Sequence, residues 1–160
     1  MLHIVYGGSA SGKSSYAESF AMSLQGEGRL LYIATMYPYK WNTTEIDPET
    51  MQRIERHRAM RADKGFDTVE CYRHVEHIVA KRQDVLLLEC MSNLLANEMY
   101  LEPDSNAGSD MAETMSPVSN KIVQALIDLS TRVQELVIVT NDVFSDGGSL
   151  TYDESTREYV

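Results

Sequence analysis

Short apolar runs recur along the chain and are separated by longer segments of mixed composition. The runs cover residues 2–6, 30–35, 85–90 and 136–140, and each is rich in Val, Ile, Leu or Tyr. Continuous apolar runs of this length are typical of strands that are buried on both faces of a sheet. The pattern therefore predicts four buried strands.

The segments between these runs carry apolar residues at helical spacing. They predict helices near residues 13–25, 48–63, 73–82 and 118–133. Because strands and helices alternate, we expect an α/β fold with a mostly parallel sheet flanked by helices. The length of the chain favours a single domain over residues 1–160.

One segment, residues 102–117, has no apolar period. It contains Pro, Gly, Asn, Ser and acidic residues, which are frequent in turns and irregular connections. We therefore expect a mobile surface loop there.

Composition and charge narrow the class of partner. The formal net charge of −10 repels nucleic-acid phosphates, and no long Lys/Arg tract offsets it, so we expect a small-molecule partner and no nucleic acid. The apolar runs are far shorter than the roughly 20 residues that span a bilayer, so we expect no membrane span. Cys71 and Cys90 lack zinc-site or redox spacing, which favours a reducing cytoplasm.

A phosphate-binding motif follows the first predicted strand and precedes the first predicted helix. The stretch Gly7-Gly8-Ser9-Ala10-Ser11-Gly12-Lys13-Ser14 fits G-x-x-x-x-G-K-[ST]. Glycines let successive backbone N–H groups point inward, and the helix N-terminus adds a positive dipole end. Lys13 then reaches the β- and γ-phosphates, and the Ser14 hydroxyl joins the coordination of Mg²⁺. The P-loop, as we call this motif, predicts nucleoside triphosphate binding but leaves the acceptor open.

Acidic residues lie at the carboxyl ends of two of the predicted strands. Glu89 lies where a P-loop fold keeps its second carboxylate, so we predict that it binds the metal together with Ser14. Asp142 follows the last strand at the same edge, and it is equally consistent with a ligand or with a turn or cap residue. No Lys separates Asn141 from Asp142, so the guanine-reading motif of regulatory GTPases is not present.

The second predicted helix carries Glu49, Arg53, His57 and Arg61 at successive i, i+4 positions. Taken alone, this spacing favours a solvated face with ion pairs. The alternative is catalytic: positive neighbours favour the neutral imidazole, whose free ring nitrogen can attack phosphorus. The residues by themselves leave both interpretations open.

Ordered blocks over nearly the whole chain carry a resemblance to a known family. They are the P-loop with Tyr16-Ala17-Glu18; Tyr32-Ile33-Ala34-Thr35; Glu49-x-x-x-Arg53-Ile54-x-x-His57-Arg58-x-x-Arg61; Phe66-Asp67-Thr68-Val69-Glu70; Leu87-Leu88-Glu89-Cys90 followed by Asn97; and Val139-Thr140-Asn141-Asp142. This set resembles the bifunctional adenosylcobinamide kinase / adenosylcobinamide-phosphate guanylyltransferases of cobalamin biosynthesis.

The resemblance implies a two-step enzyme. A nucleoside triphosphate, ATP or GTP, first phosphorylates the aminopropanol hydroxyl of adenosylcobinamide, and GTP then guanylylates that phosphate to give adenosylcobinamide-GDP. It also implies that His57 takes GMP as a covalent intermediate. Lys13, Arg58, Arg61 and Mg²⁺ are then expected to stabilise the charge on the phosphate oxygens.

The nucleotide-binding set that we predict from the motif and the resemblance extends beyond the P-loop. Its other members are Ala34, Thr35, Met36, Arg58, Arg61, Glu70 and Glu89. The Glu70 carboxylate can pair with the N1–H and N2 amino groups of guanine, which would explain a preference for GTP.

The sequence also departs from the family pattern. Ala10 stands where many relatives carry Arg, Asp142 replaces a Glu, and the connection over residues 37–45 is longer than usual. The resemblance implies a last helix and strand that this sequence lacks, and it implies a homo-oligomer, a trimer in family members.

Two other functions fit the residues. A single-activity P-loop kinase would use His57 only as part of a charged helix face, and it predicts no covalent nucleotide. A non-catalytic GTP-binding module would contact a partner protein through residues 102–117, and it predicts negligible turnover.

Overall fold

A single five-stranded parallel sheet organises the chain in the computed structural model, which describes residues 1–8, 10–40, 43–101 and 111–141, with side chains for all of these except 111–116. The strands are β1 (Leu2–Gly7), β2 (Leu30–Ala34), β3 (Phe66–Glu70), β4 (Val85–Glu89) and β5 (Glu135–Asn141). Their order is β1-β5-β4-β2-β3, and every pairing is parallel. The predicted α/β class is therefore confirmed.

Helices cover both faces of this sheet. They are α1 (Lys13–Leu24), α2 (Pro48–Arg61), α3 (Met91–Tyr100) and α4 (Met111–Arg132). Alternate residues of a strand point to opposite faces, so Leu31 and Ile33 of β2 enter a core with α3 and α4, while Leu30 and Tyr32 enter a core with α1. None of the helices in the described ranges has the length and apolar content needed to cross a bilayer.

The prediction of a helix over residues 73–82 is wrong. The segment forms only a single 3₁₀ turn, Val75–His77. Val75 and Ile78 are buried in the core, whereas Val79 is 87% exposed. One turn therefore places both buried side chains, and no longer apolar face is available to stabilise a helix.

The loop predicted over residues 102–117 overlaps a helix. Helix α4 begins at Met111 and includes Pro117, so residues 111–117 are helical, and residues 102–110 lie outside the described part of the chain. One internal Pro removes one helical hydrogen bond. The packed second half of α4, which buries Ile122, Leu126 and Leu129, outweighs that loss.

The apolar pattern also missed two elements. Strand β3 lies at the sheet edge and contains both exposed and half-buried residues, so it has no continuous apolar run. Helix α3 buries Asn97 and Glu98 together with Leu94 and Met99, so polar residues interrupt its apolar face. In both elements, tertiary contacts decide the structure where hydrophobicity alone gives no signal.

Candidate active site

A cavity of about 490 Å³ lies at the carboxyl ends of strands β2 to β5, between the P-loop and helix α2. Among its lining residues are Ala10, Lys13, Ser14, Ala34, Met36, His57, Arg58, Arg61, Glu70 and Glu89. Each of these belongs to the predicted site, although they come from five different segments of the chain. The carboxyl edge of a parallel sheet is where such folds bind ligands.

The backbone of the P-loop bends as a phosphate-binding turn requires. Gly12 adopts φ 82° at the start of α1, a left-handed conformation that suits glycine. The Lys13 ammonium donates to the Gly8 carbonyl at 3.0 Å. A side chain at Gly7 would meet the Ser11 hydroxyl at 2.9 Å. The loop is thus closed on itself, with Lys13 held at the cavity.

Four of the predicted P-loop residues that the structure describes, Gly7, Gly8, Ser11 and Gly12, do not line this main cavity. Gly7, Ser11 and Gly12 line a neighbouring cavity, also of about 490 Å³, and Lys13 lines both. Two of the residues that the sequence analysis considered, Ser9 and Asp142, lie outside the described part of the chain.

Ser14 and Glu89 form the oxygen-rich end of the cavity. The Ser14 hydroxyl donates to Glu89 Oε1, and the Tyr32 hydroxyl donates to Glu89 Oε2 at 3.1 Å. Burial, followed by the nearby Glu89 charge, raises the pKa of Tyr32, so its hydroxyl remains a donor. A hydroxyl beside a carboxylate is the hard-oxygen donor set that Mg²⁺ prefers, so these two residues fit the predicted metal.

Arg61 places a buried positive charge in the same cavity. Its side chain is 5% exposed, and its guanidinium carbon lies 3.4 Å from the centroid of the Tyr32 ring. Within the described ranges, the Nε and Nη1 atoms have no hydrogen-bond partner. Buried donors are nearly always satisfied in folded proteins. Their position in a P-loop cavity therefore points to an anionic ligand as the partner.

Helix α2 is held at both ends. At its start, Asp47 caps the helix by accepting from the Thr50 N–H at 3.4 Å and from the Thr50 hydroxyl at 2.5 Å, and Pro48 begins the first turn. The Thr50 hydroxyl bond also lowers the pKa of Asp47. Just beyond its end, Lys64 pairs with the buried Glu18 of α1.

His57 lies on the cavity side of α2, one turn before Arg61. Its ring is partly exposed and, among the described residues, makes no hydrogen bond or ion pair. The side chain therefore enters the cavity that also holds Lys13, and its ring nitrogens are not engaged elsewhere.

Glu70 at the end of β3 already has two partners. Arg58 Nη2 donates to Glu70 Oε1, and the Tyr72 hydroxyl donates to Oε2 at 3.0 Å. Burial, with the Glu70 hydrogen bond, raises the pKa of Tyr72. Arg58 and Glu70 were predicted to contact different parts of the nucleotide, and in this structure they contact each other.

Thr35 does not line the cavity, in contrast to the prediction. It is fully buried, and its hydroxyl accepts from the Cys90 N–H at 2.9 Å and lies 3.0 Å from the carbonyl oxygens of Glu89 and Cys90. The Asn97 amide donates to the Thr35 carbonyl at 2.7 Å. Thr35 therefore joins the ends of β2 and β4 next to Glu89, and it does not line the cavity.

The cavity also includes residues that the site prediction omitted. They are Tyr32, Arg53, Ile54, Arg56, Tyr72, Cys90, Asn93, Val139 and Asn141. Tyr32 and Asn141 lie near the carboxyl ends of predicted strands, and that position was the available signal for them. Asn93 lies on α3, which the apolar pattern did not predict.

Known proteins with similar sequences identify the family of this chain. The sequence model of the family described as cobinamide kinase / cobinamide phosphate guanyltransferase (CobU) matches residues 3–160. The chain is 31% identical over 151 residues to the bifunctional adenosylcobalamin biosynthesis protein CobU of Escherichia coli, covering 89% of this chain and 76% of that protein. It is 31% identical over 150 residues to the protein of the same name from Salmonella typhimurium, with the same coverage. The chain therefore belongs to the cobinamide kinase / cobinamide phosphate guanyltransferase family, which is a family of enzymes.

Proposed function

We propose that this enzyme phosphorylates the aminopropanol hydroxyl of adenosylcobinamide and then transfers GMP from GTP to the new phosphate. The observation that carries the proposal is the buried Arg61, which lines one cavity with Lys13 and His57 and has two nitrogens without a hydrogen-bond partner among the described residues. A phosphate oxygen supplies the acceptor that these donors lack. The names of the two bacterial relatives and the family match support the same substrate class.

The first step is phosphoryl transfer to a hydroxyl. The acceptor oxygen forms a bond to the γ-phosphorus, the bond to the β-phosphate oxygen breaks, and the nucleoside diphosphate leaves while the hydroxyl loses its proton. Lys13 and the P-loop N–H groups hold the β- and γ-phosphates in place. Positioning and charge stabilisation supply most of the catalysis in this reaction class.

The second step uses His57 as a nucleophile. A neutral ring nitrogen attacks the α-phosphorus of GTP, a P–N bond forms, and the bond to pyrophosphate breaks. The phosphate of adenosylcobinamide phosphate then attacks the same phosphorus, which breaks the P–N bond and yields adenosylcobinamide-GDP. Arg61 and Arg58 stabilise the charge that develops on the phosphate oxygens.

Ser14 and Glu89 are the residues that we propose to hold Mg²⁺, which when bound shields phosphate charge. We also propose, from the family resemblance alone, that the chain assembles as a homo-oligomer, and a trimer is the form to expect. A reducing cytoplasm remains the compartment that the two free cysteines suit best.

A labelling experiment tests the covalent step. The purified protein is incubated with α-³²P-labelled GTP and Mg²⁺, and the labelled band is then treated with acid and with alkali. We expect an acid-labile, alkali-stable label, as for a phosphoramidate, that is lost in His57→Ala. The control is His3→Gln, because His3 lies on β1 outside the cavity and bonds Glu135 at 2.7 Å. A label that persists in His57→Ala would refute His57 as the nucleophile, whereas no label on the wild-type protein would favour a plain kinase.

A further inference from the structure

A second, larger cleft adjoins the nucleotide cavity. It has a volume of about 1280 Å³ and is lined by residues after β3, by the connection that follows β2, and by the 3₁₀ turn. Its side chains include Tyr37, Cys71, Tyr72, His77, Ile78 and Val79. We refer to it as the β3 cleft.

We propose that the β3 cleft binds the corrin ring of the acceptor. The inference rests on the proposed function, and it identifies where the acceptor lies. Glu70 and Tyr72 line both the β3 cleft and the nucleotide cavity, so the two spaces share one wall. An acceptor in the cleft can thus direct a flexible arm past Glu70 toward the reacting phosphorus.

The size of the cleft matches a macrocycle. Pockets for ordinary small ligands occupy roughly 300–1,000 Å³, and the nucleotide cavity falls within that range. The β3 cleft exceeds it, at about 1280 Å³. A corrin ring with its peripheral amide groups is a substrate of the required bulk.

The chemistry of the walls also suits a corrin. The Tyr37 ring packs edge-on against Tyr72 at 5.4 Å and against Tyr39 at 5.3 Å, which gives the cleft a rigid aromatic wall. Val79 exposes 87% of its surface there. Burial raises the pKa of the Cys71 thiol to about 11, so it remains protonated and forms an unreactive part of the wall. Aromatic and apolar walls contact the ring, while tyrosine hydroxyls can bond the amides.

A metal ion is a poorer occupant. His74, which lines the cleft, has ligand atoms within 4.8 Å of those of Glu76 and Glu98. However, Lys121 Nζ lies 3.2 Å from Glu98 Oε2 and 3.5 Å from His74 Nδ1. The lysine ammonium already occupies the position where a cation would neutralise the cluster.

Corrinoid binding by surface variants tests the proposal. Cobinamide is coloured, so its binding can be followed by equilibrium dialysis with visible absorbance. We expect Val79→Glu, which adds charge to an exposed position in the cleft, to weaken cobinamide binding at least tenfold. Thr44→Glu, on a different segment of the lining, should do the same. The matched control is Val123→Glu on α4, where the side chain is 46% exposed and lies outside both cavities, and it should bind as the wild type does.

The guanylyl-enzyme forms from GTP without any corrinoid. Measuring its formation therefore tests the proposed function independently of the cleft assignment. The cleft assignment predicts that Val79→Glu labels with α-³²P-GTP at the wild-type rate. Unchanged cobinamide affinity in both cleft variants would overturn the cleft assignment and leave the guanylyl transfer intact. A change of oligomeric mass in Val79→Glu would also overturn it, since the cleft would then be an interface between copies. If the wild-type protein does not become labelled by α-³²P-GTP at all, the proposed function is refuted instead.

Discussion

Arg61 is a single residue that affects both the stability of the fold and the binding of an anionic ligand. Its guanidinium is buried against the Tyr32 ring, and two of its nitrogens have no hydrogen-bond partner in the described part of the protein. A buried charge without a partner destabilises a fold unless a ligand later supplies the counter-charge. The residue therefore favours the liganded protein over the free one.

Replacing Arg61 by Met should separate these two effects. The Met side chain keeps apolar contact with Tyr32 and removes the unpaired charge, so we expect an unchanged or higher Tm. Loss of charge-assisted bonds to phosphate, each worth about 1.5–3 kcal/mol, should weaken GTP binding at least tenfold. Calorimetric titration and thermal unfolding measure the two quantities. Arg82→Met, at an exposed site outside the cavity, is the control, and unchanged GTP affinity in Arg61→Met would refute the role.

Glu70 is the residue to test for base recognition. Its carboxylate accepts from Arg58 and Tyr72 and still has lone pairs for the N1–H and N2 amino groups of guanine. In Glu70→Gln, one acceptor oxygen becomes a donor, so we expect a weaker preference for GTP over ATP in guanylylation. Competition between labelled nucleotides measures this ratio. Glu55→Gln, outside the cavity on α2, provides the control, and an unaltered preference in Glu70→Gln would exclude base reading.

At the scale of elements, Asp84 connects the start of β4 to the start of β2 through hydrogen bonds with Arg29. Its side chain is buried, and it accepts from the Arg29 N–H at 3.0 Å, from Arg29 Nη2 at 2.6 Å and from the Lys81 N–H at 2.7 Å. Burial alone raises the pKa of Asp84, but the Arg29 and Lys81 hydrogen bonds outweigh it and leave the pKa below its ordinary value. The charged form is therefore the one that stabilises the fold.

The pH dependence of stability follows from this shift. Because the pKa is lower in the folded state, the contribution of Asp84 is complete above its unfolded pKa, near 4, and is lost as the pH falls through the folded value. We expect Asp84→Asn to lower the free energy of unfolding at pH 7 by about 2–3 kcal/mol. The difference from the wild type should shrink below about pH 4. Urea unfolding across pH checks this, with the exposed Asp128→Asn as control; a difference that is constant with pH would contradict it.

Sequence periodicity predicted the elements that depend on apolar burial and missed those that depend on tertiary contacts. Strands β1, β2, β4 and β5 are apolar runs, and the bounds of all four were predicted within one residue at each end. The predicted burial of β1 on both faces is wrong, because β1 lies at the edge of the described sheet and buries only Val5. Strand β3 pairs with β2 at the sheet edge, and α3 buries Asn97 by bonding it to the carbonyls of Thr35 and Tyr72. These polar contacts join distant parts of the chain, so local hydrophobicity cannot reveal them.

At the scale of the whole molecule, the parallel sheet brings the residues of the candidate active site together. The P-loop follows β1, and Glu70, Glu89 and Asn141 are the last residues of β3, β4 and β5. They meet because parallel strands end at one edge. For the P-loop, Glu89 and Asn141 that convergence was predictable from the strand pattern, whereas Glu70 entered the prediction only through the family resemblance, because β3 has no continuous apolar run. The pairing of Arg58 with Glu70 and the stacking of Arg61 on Tyr32 were not, because both depend on how α2 packs across the sheet.

Analysis of the corrinoid product tests the account most directly. The wild-type protein is incubated with adenosylcobinamide, ATP, GTP and Mg²⁺, and the corrinoids are separated and identified by mass spectrometry. We predict adenosylcobinamide phosphate followed by adenosylcobinamide-GDP, and we predict that His57→Ala stops at the phosphate. Formation of the GDP product by His57→Ala, or no corrinoid product from a wild-type protein that binds GTP, would contradict the two-step assignment.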